Sequence, residues 1–223
     1  MQADFSAARN NMVDSQVRPN KVTDPRILDA MRILPREDFV PPGRAGLAYV
    51  DEDVPIGRGR VLMEPMVIAR LVQLTRTRPG ERVLVVGAGA GYGAALLEAC
   101  GGLVTALEQD EALAALARKV LSRHAPGVTV VTGPLAQGWP AGAPWDVILI
   151  EGAVKAIPEA MALQVRGGAG RLVTALSLSG GTCQAVLAEP VGTGALAGLR
   201  TRVEFDCATP LLPALLPPPQ FSF

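Results

Sequence analysis

Apolar positions in the first eighty residues follow a helical spacing. After Val22-Thr23-Asp24-Pro25, the residues Ile27, Leu28, Met31 and Leu34 fall on one face of a 3.6-residue period, with Thr23 or Asp24 as cap and Pro25 at an early helical position. Pro41-Pro42-Gly43 breaks the chain. Pro65 then opens a helix whose apolar face includes Val67, Ile68, Leu71, Val72 and Leu74, and Pro79-Gly80 closes the segment as a turn. From Arg82 onward the pattern changes to short, β-branched apolar runs at 82–86, 104–107, 128–131 and 146–150, separated by helical stretches at 94–100 and about 110–123. Strands alternating with helices predict an α/β fold with a doubly wound, mostly parallel sheet behind an N-terminal helical segment. Residues 171–178 and 182–187 flank Ser179-Gly180-Gly181 like a hairpin, which adds an antiparallel C-terminal edge. The tail, 209–223, holds five prolines and no charge, and is expected to be extended, either docked or loose.

Composition narrows the class of partner. With 223 residues, 49% hydrophobic and 19% charged, the chain can bury a sizeable core. A single domain is expected, with an N-terminal helical and substrate-side segment (1–80), a cofactor-binding core (81–190), and a C-terminal strand with the proline-rich tail (191–223). The 21 basic and 21 acidic side chains cancel, so no global field draws in nucleic acid or an anionic membrane. Neither long uncharged window, 83–97 or 172–188, reaches the ~20 residues of a membrane-spanning helix. Asp4 stands where a secretion signal would be basic, and a cytoplasmic location is expected. Cys100, Cys183 and Cys207 are too scattered for a disulfide framework or a zinc site and read as small buried hydrophobes. The lone His124 leaves little room for a histidine triad or a metal cluster, and is expected at a helix C-terminus.

Candidate chemistry starts at Gly87-Ala88-Gly89-Ala90-Gly91-Tyr92-Gly93, between a buried strand and a helix, where open α/β sheets bind ligands. A dinucleotide fingerprint G-x-G-x-x-G would need glycine where Tyr92 stands. The spacing is instead G-x-G-x-G, the form usual in folds that bind S-adenosylmethionine. Glu108, about twenty residues further and at the end of the next strand, can accept both hydroxyls of a ribose. That acid serves nicotinamide dinucleotides and S-adenosylmethionine equally.

The N-terminal segment separates these cofactors, because over roughly residues 12–175 the chain resembles the protein-L-isoaspartate O-methyltransferase family. The resemblance rests on motifs in order: Met12-Val13 with Gln16, Leu34-Pro35-Arg36-Glu37-Asp38-Phe39-Val40-Pro41, Ala48-Tyr49, Asp53-Val54-Pro55-Ile56-Gly57, Ala143-Pro144-Trp145-Asp146, Ile157-Pro158, Gln164-Val165 and Gly170-Arg171-Leu172-Val173. It implies a class I methyltransferase fold, S-adenosyl-L-methionine as cofactor, and methyl transfer to the free carboxylate of isoaspartyl residues in damaged proteins. Gly87, Ala88, Gly89, Gly91 and Tyr92, then Glu108 and Gln109, and finally Pro134 and Leu135 are the positions implied to meet the cofactor.

The departures are informative. Met63 and Glu64 stand where the family has a substrate-side serine and glutamine, Val85 replaces an acid in the first strand, and Gly133-Pro134-Leu135 replaces Gly-Asp-Gly. Glu151, expected at the end of the fourth strand, replaces a small or hydroxyl residue. If ionised and facing the pocket, Glu64 would repel an isoaspartyl carboxylate ~5 Å away by about 3 kcal/mol. Alternatively it turns to solvent or caps the helix after Pro65. An acidic pocket would favour a cationic or neutral acceptor, and a catalytically silent scaffold is the remaining alternative.

Overall fold

The computed structural model describes residues 5–177, 182–192 and 198–216. Seven strands form one sheet in the order β5-β4-β3-β6-β7-β8-β9. In chain order these are β3 (Arg82–Val86), β4 (Leu103–Glu108), β5 (Thr129–Thr132), β6 (Val147–Val154), β7 (Arg171–Ser177), β8 (Cys183–Val191) and β9 (Gly198–Cys207). The first five run parallel, while β7–β8 and β8–β9 are antiparallel. The predicted fold class is therefore the observed one. Every residue of β6 is buried, as the apolar run 147–150 predicts for a strand covered on both faces, and Glu151 is buried with them. Side chains alternate in β3: Val83 and Val85 join one apolar cluster, Leu84 and Val86 the other, so the sheet separates two cores.

Local signals place the helices. Asp24 caps α2 (Pro25–Ile33) by accepting from the Arg26 amide, and Asp110 caps α5 (Glu111–His124) by accepting from Ala112 and Leu113. The other helices are α1 (Ser6–Met12), α3 (Pro65–Thr75), α4 (Tyr92–Ala99) and α6 (Glu159–Ala162). His124 ends α5, and its Nε2 lies 2.8 Å from the Asp38 carboxylate. Among the described residues no helix is long and apolar enough to cross a membrane.

Two features differ from the sequence expectation, and the tail takes one of its two expected states. The first eighty residues contain a hairpin, β1 (Val54–Gly57) and β2 (Arg60–Leu62), turning on Gly57, Arg58 and Gly59, all at positive φ. Strand β6 continues four residues past Ile150, so Glu151 lies within it. Between the pairs Leu149↔Val173 and Ala153↔Ala175 the register shifts, and the resulting bulge carries Glu151 and Gly152 (φ +147°). The tail is docked over 209–216: Ala153 donates to the Pro210 carbonyl and Leu212 donates to Ala153. The expected turn at 179–181 and the tail beyond 216 lie outside the described residues.

Arg171 joins α3 to the sheet. Its guanidinium donates to the carbonyls of Thr75 and Arg76 and forks onto both oxygens of Glu81. Removing one partner of such a largely buried pair leaves a charge only partly compensated by water. Arg171→Met should lower the unfolding free energy by about 3 kcal/mol, read as a reduced urea midpoint at unchanged slope.

Candidate functional site

The glycine turn sits at the carboxyl end of β3, and four of its amides are spent within the protein. Gly87 and Ala88 both donate to the Leu107 carbonyl, Gly91 donates to Ala88, and Gly89 donates to Glu108 Oε2 at 2.8 Å. Gly87, Gly89 and Gly91 take φ of +72°, +56° and +97°, which glycine adopts without steric cost. The first two face the site. A Cβ on Gly91 would instead lie 2.7 Å from Leu121, so that glycine serves the packing of α4 against α5.

Glu108 is 1% exposed. Its Oε1 accepts from the amides of Gln109 (2.8 Å) and Asp110 (3.1 Å), and its Oε2 accepts from Gly89 and from Arg60 Nη1 at 3.0 Å. Arg60, on β2, also donates to the Gly87 carbonyl. Its Nη2 would touch a Cβ on Gly87 at 3.1 Å, as would Leu212 from the tail at 3.3 Å, and Ile56 would touch one on Gly89 at 3.0 Å. Beside them remains a cavity of about 200 Å³ lined by Arg60, Glu108, Gln109, Leu135, Leu212 and Pro213. Gln109 accepts from the Leu135 amide, which holds the loop opened by Pro134 against this cavity.

Tyr92 points elsewhere. Its ring is fully buried against Phe39, edge to face with centroids 5.1 Å apart, and the Arg36 guanidinium lies 4.9 Å from its centre. The expected contact of this side chain with a cofactor is therefore replaced by core packing. Ala88 is buried in the same core cluster.

On the acceptor side, Met63 is also a core residue, 1% exposed, and its carbonyl accepts from Arg36. Glu64 is the N-cap position of α3, without a side-chain capping bond, and its amide donates to Asp53 Oδ1 at 2.7 Å. It lines an open pocket with Asp51, Glu52, Asp53 and Thr209. Burial, then the carboxylates of Asp51 and Asp53, raise its pKa.

Glu151 is separate from that rim. It is 6% exposed and lies against Gly93 at the start of α4, where a Cβ would stand 2.5 Å from its Oε2, and burial pushes its pKa up to about 8 despite nearby Arg60. Its Oε2, the Tyr92 hydroxyl and Arg36 Nη1 are buried without a hydrogen-bond partner. Both Glu64 and Glu151 feel the charge of Arg36, which is itself wholly buried. Of the alternatives, a joint acidic pocket gives way to a rim acid and a separate interior carboxyl whose pKa burial raises to about 8.

Sequence reasoning missed Arg36, Arg60 and Leu212. Arg36 lay inside the quoted motif 34–41 without a role, and Arg60 left a trace as a cation closing Gly57-Arg58-Gly59-Arg60 just before the candidate substrate residues.

Sheet order and site position together define a class I methyltransferase fold. A solved protein-L-isoaspartate O-methyltransferase superposes with a TM-score of 0.75 at 23% identity, covering 92% of this chain and 65% of that one. A second, from Plasmodium falciparum and solved in complex with S-adenosyl-L-homocysteine, gives 0.71 at 18% identity, covering 92% and 98%. The family model "Protein-L-isoaspartate(D-aspartate) O-methyltransferase" matches residues 7–189. A protein-L-isoaspartate O-methyltransferase of Methylorubrum extorquens (strain PA1) is 42% identical over 178 residues, 80% of this chain and 78% of the relative. The chain belongs to the protein-L-isoaspartate(D-aspartate) O-methyltransferase family, a family of enzymes.

Two measurements test the site. Glu108→Ala would strand Arg60 and release three amides, and should cost about 3–5 kcal/mol of stability in urea unfolding; a loss under 1 kcal/mol would contradict the geometry. For Glu151, a folded-state pKa near 8 against an ordinary 4.5 means that the folded protein binds this proton more tightly. Its contribution is complete below pH 4.5 and lost as pH rises towards 8, at about 1.4 kcal/mol per pH unit. Glu151→Gln should remove that slope, measured as the difference between the two proteins' unfolding free energies at pH 5 and pH 8.

Proposed function

We propose that this protein transfers a methyl group from S-adenosyl-L-methionine to the free carboxylate of isoaspartyl residues in proteins or peptides, in the cytoplasm. The observation that carries this reading is the 42% identity to a protein-L-isoaspartate O-methyltransferase across four fifths of the chain, with the family model spanning residues 7–189 and so the glycine turn and Glu108. Three free cysteines, two of them buried, suit a reducing compartment.

The residues present fit the cofactor. Glu108 offers a carboxylate to the ribose, Gln109 and Leu135 line the adjoining cavity, and Gly87 and Gly89 allow close approach at the turn. When bound, the cofactor supplies an electrophilic methyl on a sulfonium. An isoaspartyl carboxylate has a pKa near 4 and is ionised at neutral pH, so the protein needs no general base and contributes placement. With Met63 in the core, no hydroxyl is offered at the family's serine position. Burial, which pushes the Glu151 pKa up to about 8, reduces the negative charge that this carboxyl carries at pH 7. Glu64 remains as an acid on the rim.

The four acids lining that rim, Asp51, Glu52, Asp53 and Glu64, favour a second reading in which the acceptor is cationic or neutral. Methyl transfer to an isoaspartyl peptide, its aspartyl counterpart and a lysine-rich peptide separates the two. Transfer confined to the isoaspartyl peptide supports the first reading, and transfer confined to the cationic one overturns it. Restoring serine at Met63 would carve a hole in the core, so Glu64→Gln is the cleaner change. It should raise kcat/KM on the isoaspartyl peptide by about 5- to 10-fold, equivalent to ~1 kcal/mol or slightly more for a screened carboxylate.

A further inference from the structure

Four donors hold Glu108, and they are not equivalent. Three are backbone amides of Gly89, Gln109 and Asp110, fixed by the turn and by the junction of β4 with α5. The fourth is the Arg60 guanidinium, delivered by a side chain 48 residues away on a two-stranded hairpin. A ribose diol arriving at this carboxylate can therefore take only the place of Arg60.

The same hairpin covers the turn. Ile56 packs against Gly89 and Arg60 against Gly87, while Leu212 of the tail packs against Gly87 and Gly152. Hairpin and tail also meet each other, because a Cβ on Gly59 would lie 3.0 Å from Pro213. The tail is tied to the sheet at Ala153 by two backbone hydrogen bonds, one from Ala153 to Pro210 and one from Leu212 to Ala153. The remaining cavity of about 200 Å³ is below the ~300–1,000 Å³ usual for a small-molecule site.

We infer that Arg60 and Leu212 form a self-occluding latch on the glycine turn, in which the Arg60–Glu108 pair must break before the cofactor can seat. The inference rests on the cofactor reading above and concerns the regulation of that same site. Affinity for the cofactor is then reduced by the fraction of molecules whose latch is open. Arg60 competes with the cofactor rather than contacting it, so removing Arg60 strengthens binding.

Titration calorimetry of the full chain with S-adenosylhomocysteine tests this, together with hydrogen exchange of residues 209–216 in the ligand-free protein. Arg60→Ala should bind about tenfold more tightly than the unaltered protein, and its tail should exchange faster. Leu212→Ala leaves every charge in place and guards against misfolding of the first variant; it should move both readouts in the same direction. Equal or weaker binding by both variants, with the unaltered protein binding well, would overturn the latch and leave the cofactor reading intact. If no form binds although the tail of Arg60→Ala exchanges faster, the cofactor reading fails and the latch fails with it as a gate.

Discussion

On Glu108 converge the end of β4, the glycine turn after β3, the first residues of α5 and, through Arg60, the hairpin of the N-terminal segment. The carboxylate is almost wholly removed from water, so each acceptor position must be filled from within the protein or by a ligand. Three backbone amides supply a fixed field, and the one charged donor brings the balancing cation. The local geometry of the site follows from that arrangement. The turn is held at β4, the hairpin lies over it, and the tail closes against the hairpin.

The bulge in β6 exerts a second constraint. It places Glu151 inside the protein beside the start of α4, while Glu64 stays on the rim at the start of α3. Two acids that the sequence sets within one expected pocket therefore occupy different dielectric surroundings. Burial raises the pKa of the interior one to about 8, and the rim acid shares its pocket with three other carboxylates. Arg36, buried beneath both, ties the carbonyls of Ala48 and Met63 together and makes Met63 a structural residue.

Strands β3 and β6 were legible because buried parallel strands leave apolar runs, β4 and the less buried β5 because their short apolar runs are β-branched, and α2 because Asp24 and Pro25 announce its start. The hairpin was not legible. Its strands are four and three residues long, one contains Pro55, and no periodicity emerges from so few positions. Glu108 could be singled out from its place after a strand, but its partnership with Arg60 is a tertiary contact that spacing does not encode. Tyr92 shows the opposite failure. Its position in the glycine turn suggests a ligand contact, whereas the first turn of α4 rotates the ring towards Phe39. Leu212 lies in a proline-rich, uncharged stretch whose docking depends on acceptors and donors at Ala153, invisible from the tail itself.

Among the described residues, strand β9 forms one border of the sheet, pairing with β8 along one side only. A free border of this length offers unsatisfied amides and carbonyls to any extended chain that meets it, and invites sheet-to-sheet aggregation. Its middle reads Arg200-Thr201-Arg202-Val203-Glu204, with Arg200 and Arg202 exposed and Arg202 paired to Glu204 at 2.6 Å. A second strand laid along this border would have to strip water from those charges. Charge along the margin, rather than cover, thus raises the cost of extending the sheet past β9.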